Sequence, residues 1–320
     1  MPLWNSSEAL TNLPAQCIII VLGGRMNMAW LFAFLLLLSS TAQSLFAKIY
    51  SGKTDCKPEY SPVVFNFYYS LITAIGALAV GGFVFRPSLQ TVLFALISAA
   101  ATTVYNLAIV RAAQTGPYPV YMVSALFGGI ILPTGAGIVF FGDEVRWISL
   151  CGVILMLAAI VLLTYTKTGG EKLKPVFLRC CIALFLSNGA FGFAFYLQNR
   201  FVSPRSDEIT EFVTVAFAVS AAVSFAVLLL KAKKETKKAL VPNRAGGLSL
   251  FLSAAASCAA QNLQLYVLTL LPSAVVFTFN NGGVLVAVSL LSLLLFKEKM
   301  NAVRWCGVAA AIVSIVLLSL

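Results

Sequence analysis

FALISAAATTVYNLAIVRAAQTGPYPVYMVSALFGGIILPTGAGIVFFGDEVRWISLCGVILMLAAIVLL at residues 94–163 and LFLSAAASCAAQNLQLYVLTLLPSAVVFTFNNGGVLVAVSLLSLLLFKEKMNAVRWCGVAAAIVSIVLL at residues 250–318 read as two copies of one unit. Landmarks recur at a shift of 154 to 156 residues: Asn106/Asn262, Pro117/Pro272, Gly128-Gly129/Gly282-Gly283, Glu144/Glu298 and Cys151-Gly152/Cys306-Gly307. Both copies are apolar enough to sit in a bilayer. A duplicated membrane unit is the usual build of a secondary transporter, with the binding site between the repeats.

Working outward, the whole chain has this character. Of its 320 residues 60% are hydrophobic and 10% charged, against about 25% charge in a soluble domain; mean hydropathy is +0.94. Apolar runs of about 20 residues cross the hydrocarbon core as helices. Ten are expected, at 28–48, 61–85, 89–111, 117–141, 146–166, 175–199, 209–230, 247–270, 272–296 and 302–320. The runs are continuous and not alternating, which excludes a transmembrane β-barrel. The expected fold is an all-α integral membrane protein of ten transmembrane helices, built as two inverted five-helix repeats. Residues 26–170 form the first repeat and 171–320 the second, in one membrane domain. Residues 1–25 read as a poorly defined N-terminal extension. Their apolar stretch is too short to span and lacks a basic segment before it, so it is not a signal peptide; Met26 and Met28 are alternative starts.

Charge orients the helices. Loops after helices 1, 3, 5, 7 and 9 hold most of the 22 basic residues, including Lys48, Arg111 and the Lys231–Lys238 cluster; the other side holds Arg25, Arg86, Arg146, Arg200 and Arg205. The positive-inside rule puts the Lys231–Lys238 loop in the cytoplasm and both termini outside. The net charge of +11 is thus a topology signal and a match for anionic headgroups, with no nucleic-acid partner implied.

The helix-end signatures FFGDEVRWISLCGVILMLAAIVLL and LFKEKMNAVRWCGVAAAIVSIVLL, with the prolines that open helices 4 and 9, resemble the drug/metabolite transporter superfamily in its ten-helix EamA-like form. The resemblance implies efflux or exchange of amino acids, sugars bearing phosphate or nucleotide, other metabolites or drugs. It also implies cytoplasmic termini, opposite to the charge count.

All eleven acidic residues fall outside the middles of the spans, and there is no histidine. An exporter of lipophilic cations driven by protons needs an intramembrane carboxylate; Glu211, at the mouth of helix 7, is the nearest approach. Neutral polar groups are plentiful instead, and amides in hydrocarbon require partners, a wet cavity or a ligand. The candidate substrate-binding residues are Asn106, Asn262, Asn188, Asn280, Asn281, Gln43, Tyr105 and Gln261. Asn106 and Asn262, taken as repeat equivalents, are expected to line one central cavity. Gly128, Gly129, Gly282 and Gly283 are candidate hinges where a helix bends, though close helix packing explains paired glycines equally. Lys48 and Arg111 are candidate anion contacts or snorkelling cations. Tyr118 and Tyr50 read as interface-belt residues.

The seven cysteines show no metal-ligand spacing, and no nucleotide-binding or hydrolase motif occurs. No metal, cofactor or enzymatic activity is expected. The reading is a secondary transporter of a small polar metabolite, amino acid or sugar-like, in the cell membrane, working by alternating access. Its rivals are an exporter of drugs or lipophilic cations and a non-transporting receptor or assembly subunit. Partners are a small-molecule substrate and the bilayer; small-residue spacing such as Gly135 and Gly137 leaves a homodimer open.

Overall fold

A computed structural model describes residues 15–57, 59–115, 118–143, 146–164, 175–232, 242–296 and 302–319. Pro117, Glu144, most of the Lys231–Lys238 loop and Glu298 lie outside them. Ten helices run through the described residues, with no strand: α1 Ala15–Lys53, α2 Ser61–Val80, α3 Leu89–Thr115, α4 Tyr118–Phe141, α5 Trp147–Thr164, α6 Pro175–Phe201, α7 Ile209–Ala232, α8 Arg244–Leu268, α9 Ser273–Phe296 and α10 Ala302–Ser319. They occupy the ten apolar runs, because in lipid each segment must satisfy its backbone internally.

Local chemistry sets the ends. Pro62 pre-forms the first turn of α2, and the N–H of Gly81 closes that helix on the carbonyl of Ala77. Asn243 caps α8, its side chain accepting from the N–H of Gly246 at 2.8 Å. The carbonyl of Pro272 accepts from Val275 and opens α9. α1 is the exception in length. Its 39 residues would reach about 58 Å, nearly twice the hydrocarbon core, and only its stretch from Met28 to Lys53 counts as a span.

Among the described residues, six helices are long and apolar enough to cross a membrane: those holding Met28–Lys53, Ser61–Val80, Leu89–Ala112, Ser124–Phe141, Pro175–Phe201 and Ile209–Leu230. Shorter apolar stretches lie at Trp147–Leu162, Ser273–Ala287 and Trp305–Leu318. The outer surface carries Trp147, Phe140, Leu230 and Leu89 largely uncovered, an arrangement that suits lipid and not water.

The strongest helix pairings are α1 with α8, α3 and α4 with α6, α2 with α7, and α5 with α10; α9 packs on α1, α4 and α5. Both main core clusters therefore mix residues from the two halves of the chain. One joins Leu36 and Tyr69 to Phe195, Phe217 and Phe277; the other joins Ile130 and Met156 to Leu184 and Leu285.

α4 and α9 run unbroken through their paired glycines. No break in either helix marks the candidate hinges in this conformation. Each glycine instead meets a neighbour: a Cβ on Gly128 would strike the backbone of Phe185, one on Gly129 the amide of Asn188, one on Gly282 the side chain of Met156, and one on Gly283 that of Leu37. Close approach of helices accounts for all four. Pro133 inside α4 does loosen that helix, since it offers no N–H to the carbonyl one turn earlier.

Candidate functional site

The central cavity is built from stripes of polar residues spaced by single helical turns. On α3, Ser98, Thr102 and Asn106 are buried on one face; on α8, Ser249, Ser253, Ser257, Gln261 and Gln264 do the same. Residues three and four apart share a helix face, so each stripe aims its last amide into the space between the halves.

That space is a cavity of about 130 Å³. Seven of the sequence candidates line it: Gln43, Tyr105, Asn106, Asn188, Gln261, Asn280 and Asn281, from α1, α3, α6, α8 and α9. Gly129 lines it too, whereas Gly128, Gly282 and Gly283 do not. Among the described residues, no charged side chain lines it. Phe191, Phe217 and Phe277 supply apolar surface.

Asn262 is elsewhere. It lies in a lateral groove with Glu211 and Tyr266, and its Nδ2 donates to the carbonyl of Cys258 at 2.8 Å. The reason is register. A shift of 155 carries Ser98, Thr102 and Asn106 onto Ser253, Ser257 and Gln261, so Gln261 holds the place that the Asn-to-Asn match assigned to Asn262. One residue turns a helix by about 100°, which moves Asn262 off the cavity face.

Hydrogen bonds hold the walls. Gln43 Nε2 donates to the Tyr69 hydroxyl at 2.7 Å, which donates to Ser257 Oγ at 2.7 Å; Ser253 Oγ donates to the carbonyl of Gln43 at 2.9 Å. Asn106 Nδ2 donates to Asn66 Oδ1 at 2.6 Å. Asn66 in turn donates to Ser220 at 3.1 Å and Ser224 at 2.7 Å, joining α2, α3 and α7. Asn188 Nδ2 donates to the carbonyl of Ala125 at 2.8 Å, and Asn280 Nδ2 reaches Gln264 Oε1 at 3.5 Å. Three buried atoms of lining residues lack a partner: Gln261 Oε1, Asn280 Oδ1 and Thr102 Oγ1. Buried polar atoms are seldom left unpaired, which sets these three apart from the satisfied amides of the wall. Asn66, Tyr69 and Gln264 are not among the candidate substrate-binding residues read from the sequence. Gln264 was legible as the next member of the α8 stripe, while Asn66 depends on serines more than 150 residues away.

A second space of about 300 Å³ shares Gln43, Ser44, Tyr69, Tyr105 and Asn106 with the first and continues to Lys48 and Ser51. Both of these are exposed at the C-terminal end of α1. Arg111 lines neither space.

The opposite end of the bundle carries polar ties between helices. Glu208, between α6 and α7, accepts from the Ser88 N–H at 2.8 Å, from Thr91 Oγ1 at 2.5 Å and from Ser206 Oγ at 2.7 Å. Burial works against its ionised form, but these hydrogen bonds outweigh it and hold the carboxyl below the usual carboxylate range. Asp143, after α4, accepts from the Tyr196 hydroxyl at 2.8 Å and pairs with Arg200 at 3.4 Å. Asn199 Nδ2 donates to the carbonyl of Leu268 at 2.9 Å. The Glu208 and Asp143 ties link the two halves, while the Asn199 bond lies within the second.

A solved structure titled only "Crystal structure of protein" shares this fold, with a TM-score of 0.68 over 91% of this chain and 96% of its own at 15% identity. No curated protein matches the chain at a significant level. Residues 178–320, from α6 onward, match the model of the EamA-like transporter family, and this supports membership of the drug/metabolite transporter superfamily for a multi-pass, transporter-type membrane protein.

Proposed function

We propose that the chain is a secondary carrier of a small polar metabolite, neutral or zwitterionic, working by alternating access in the cell membrane. The observation that carries the reading is the uncharged, amide-lined cavity between the halves, whose lining residues include three with an unpartnered buried oxygen, Gln261 Oε1, Asn280 Oδ1 and Thr102 Oγ1. An amino acid or sugar-like solute offers the donors and acceptors such a wall needs. A lipophilic cation, the rival substrate, would meet no carboxylate there.

Two features support alternating access. Exchanging the first five helices for the last five sends the α1–α8 pair onto α6–α3 and leaves α2–α7, α5–α10 and α4–α9 as they are; inverted repeats would pack in this way. The ends also differ. The second space reaches Lys48, while the Arg200 end is tied by Glu208 and Asp143. With the Lys48 end cytoplasmic by the charge rule, this is an inward-facing arrangement. A solute destined for export enters from that side.

The test is a thermal-shift screen of the purified chain followed by counterflow in proteoliposomes. The panels are neutral or zwitterionic metabolites, sugar phosphates and nucleotide sugars, and lipophilic cations. A ligand specific to the folded state raises its melting temperature. Stabilisation and counterflow by a neutral or zwitterionic solute support the proposal; a response confined to cations overturns it.

A further inference from the structure

The lateral groove where Asn262 lies is separate from the central cavity, with a volume of about 760 Å³. It opens between the C-terminal end of α2, the first turn of α7 and α8. Its walls are apolar and turned outward: Val80 is 68% exposed, Val84 59% and Tyr266 40%, with Ala255 and Ala259 also exposed. On a multi-pass membrane protein such a face meets acyl chains. Its floor is different. Glu211 is only 9% exposed, and its carboxylate accepts one hydrogen bond, from Thr210 at 3.0 Å. No Lys or Arg lines the groove, while Asp207 stands at its mouth.

A carboxylate taken out of water without a cation is costly, by several kcal/mol on the order of its effective desolvation penalty. The N-terminus of α7 offsets part of that. A second unfilled acceptor belongs to another residue of the groove, Asn262, whose Oδ1 is buried and lacks a partner. Its orientation is fixed, because Nδ2 is engaged by the Cys258 carbonyl and a flipped amide would set oxygen against oxygen. Two acceptor groups, one of them a carboxylate, thus belong to the lining of an apolar slot on a chain whose net charge is +11.

We infer that this groove binds the primary ammonium headgroup of an aminophospholipid, with Glu211 and Asn262 accepting from the ammonium and an acyl chain lying along Ala255 and Ala259. The lipid and not a free amine is the occupant, because the groove opens on the face turned to the bilayer, near the end of α2 where headgroups sit. Anionic lipids without an amine are disfavoured by Glu211 and Asp207. The site does not depend on transport through the central cavity.

Native mass spectrometry of the purified full chain tests it, with added phosphatidylethanolamine or phosphatidylglycerol and without any transport readout. Wild type is expected to retain one phosphatidylethanolamine preferentially. Glu211→Gln should weaken that binding about tenfold or more, the scale of a lost charge-assisted hydrogen bond, and leave phosphatidylglycerol unchanged. Ala259→Phe, which fills the slot but keeps Glu211, should exclude the lipid and serves if Glu211→Gln does not fold. Octylammonium is the free-amine arm: displacement by phosphatidylethanolamine supports the lipid site. Equal retention of phosphatidylethanolamine by wild type and both variants overturns the inference. So does parallel loss of both lipids, or octylammonium binding that phosphatidylethanolamine does not displace.

Discussion

Asn106 on α3 donates its side-chain amide to Oδ1 of Asn66 on α2 at 2.6 Å. Asn106 faces the cavity; Asn66 is fully buried behind it and is held from the far side by Ser220 and Ser224 of α7. The cavity wall is therefore set by a residue that never touches the cavity. Asn66→Leu leaves the Asn106 amide and two serine hydroxyls short of a partner. The expected loss is about 2 kcal/mol, within the range for unsatisfied buried groups, read as a fall in melting temperature in detergent.

The register of α8 makes a paired prediction. Gln261→Leu should weaken solute binding about tenfold or more, because Gln261 lines the cavity, its Oε1 lacks a partner and one good hydrogen bond to a polar ligand is worth this much. Asn262→Leu, one residue on, should leave solute affinity unchanged. Calorimetric titration with a solute found in the screen checks both. Equal losses would mean that Asn262 reaches the solute after all.

Glu208 gives stability a pH dependence. Its folded carboxyl is held below the ordinary value of 4.5 by Thr91, Ser206 and Ser88 against the opposing effect of burial. A group depressed in the folded state contributes stability that is present above its unfolded pKa and lost as pH falls through its folded one. Glu208→Gln should therefore melt lower than wild type at pH 7, and the gap should close on acidification from about pH 4.5 downward. Melting curves across that range show whether it does.

The Asp143 tie predicts a change in access. The Arg200–Asp143 pair is half exposed on the arginine side and contributes little alone, so the Tyr196 hydroxyl bond is the stronger restraint. Asp143→Asn should loosen the Arg200 end. In vesicles, the rate at which an impermeant maleimide labels a Ser40→Cys reporter in the cavity from that side should rise several-fold. An unchanged rate would show that the end is closed by packing.

Gly128 and Gly282 should respond differently to alanine. The added Cβ at Gly128 meets the backbone of Phe185, which cannot move aside, whereas at Gly282 it meets the flexible thioether of Met156. Gly128→Ala is expected to destabilise by about 1–3 kcal/mol, the cost of overpacking, and Gly282→Ala by less. Thermal unfolding ranks the two.

The sequence by itself determined where the helices lie. A span buried in lipid must bond its own backbone within one segment and turn apolar side chains outward, so the information is local and contiguous. It also held the polar stripes, since Ser98, Thr102 and Asn106 recur as Ser253, Ser257 and Gln261 at a constant shift. What the tertiary structure decided is which face of each helix turns inward. Matching asparagine to asparagine picked Asn262, but packing of α8 on α1 and α2 buries the stripe one residue away and leaves Asn262 beside Glu211 in a separate groove. Asn66 is the same lesson in reverse: its partners on α7 become neighbours only when helices distant in sequence pack together. A residue's helix is fixed by its local run of apolar neighbours; its partners are fixed by a rotation of about 100° per residue that only contacts between distant helices can set.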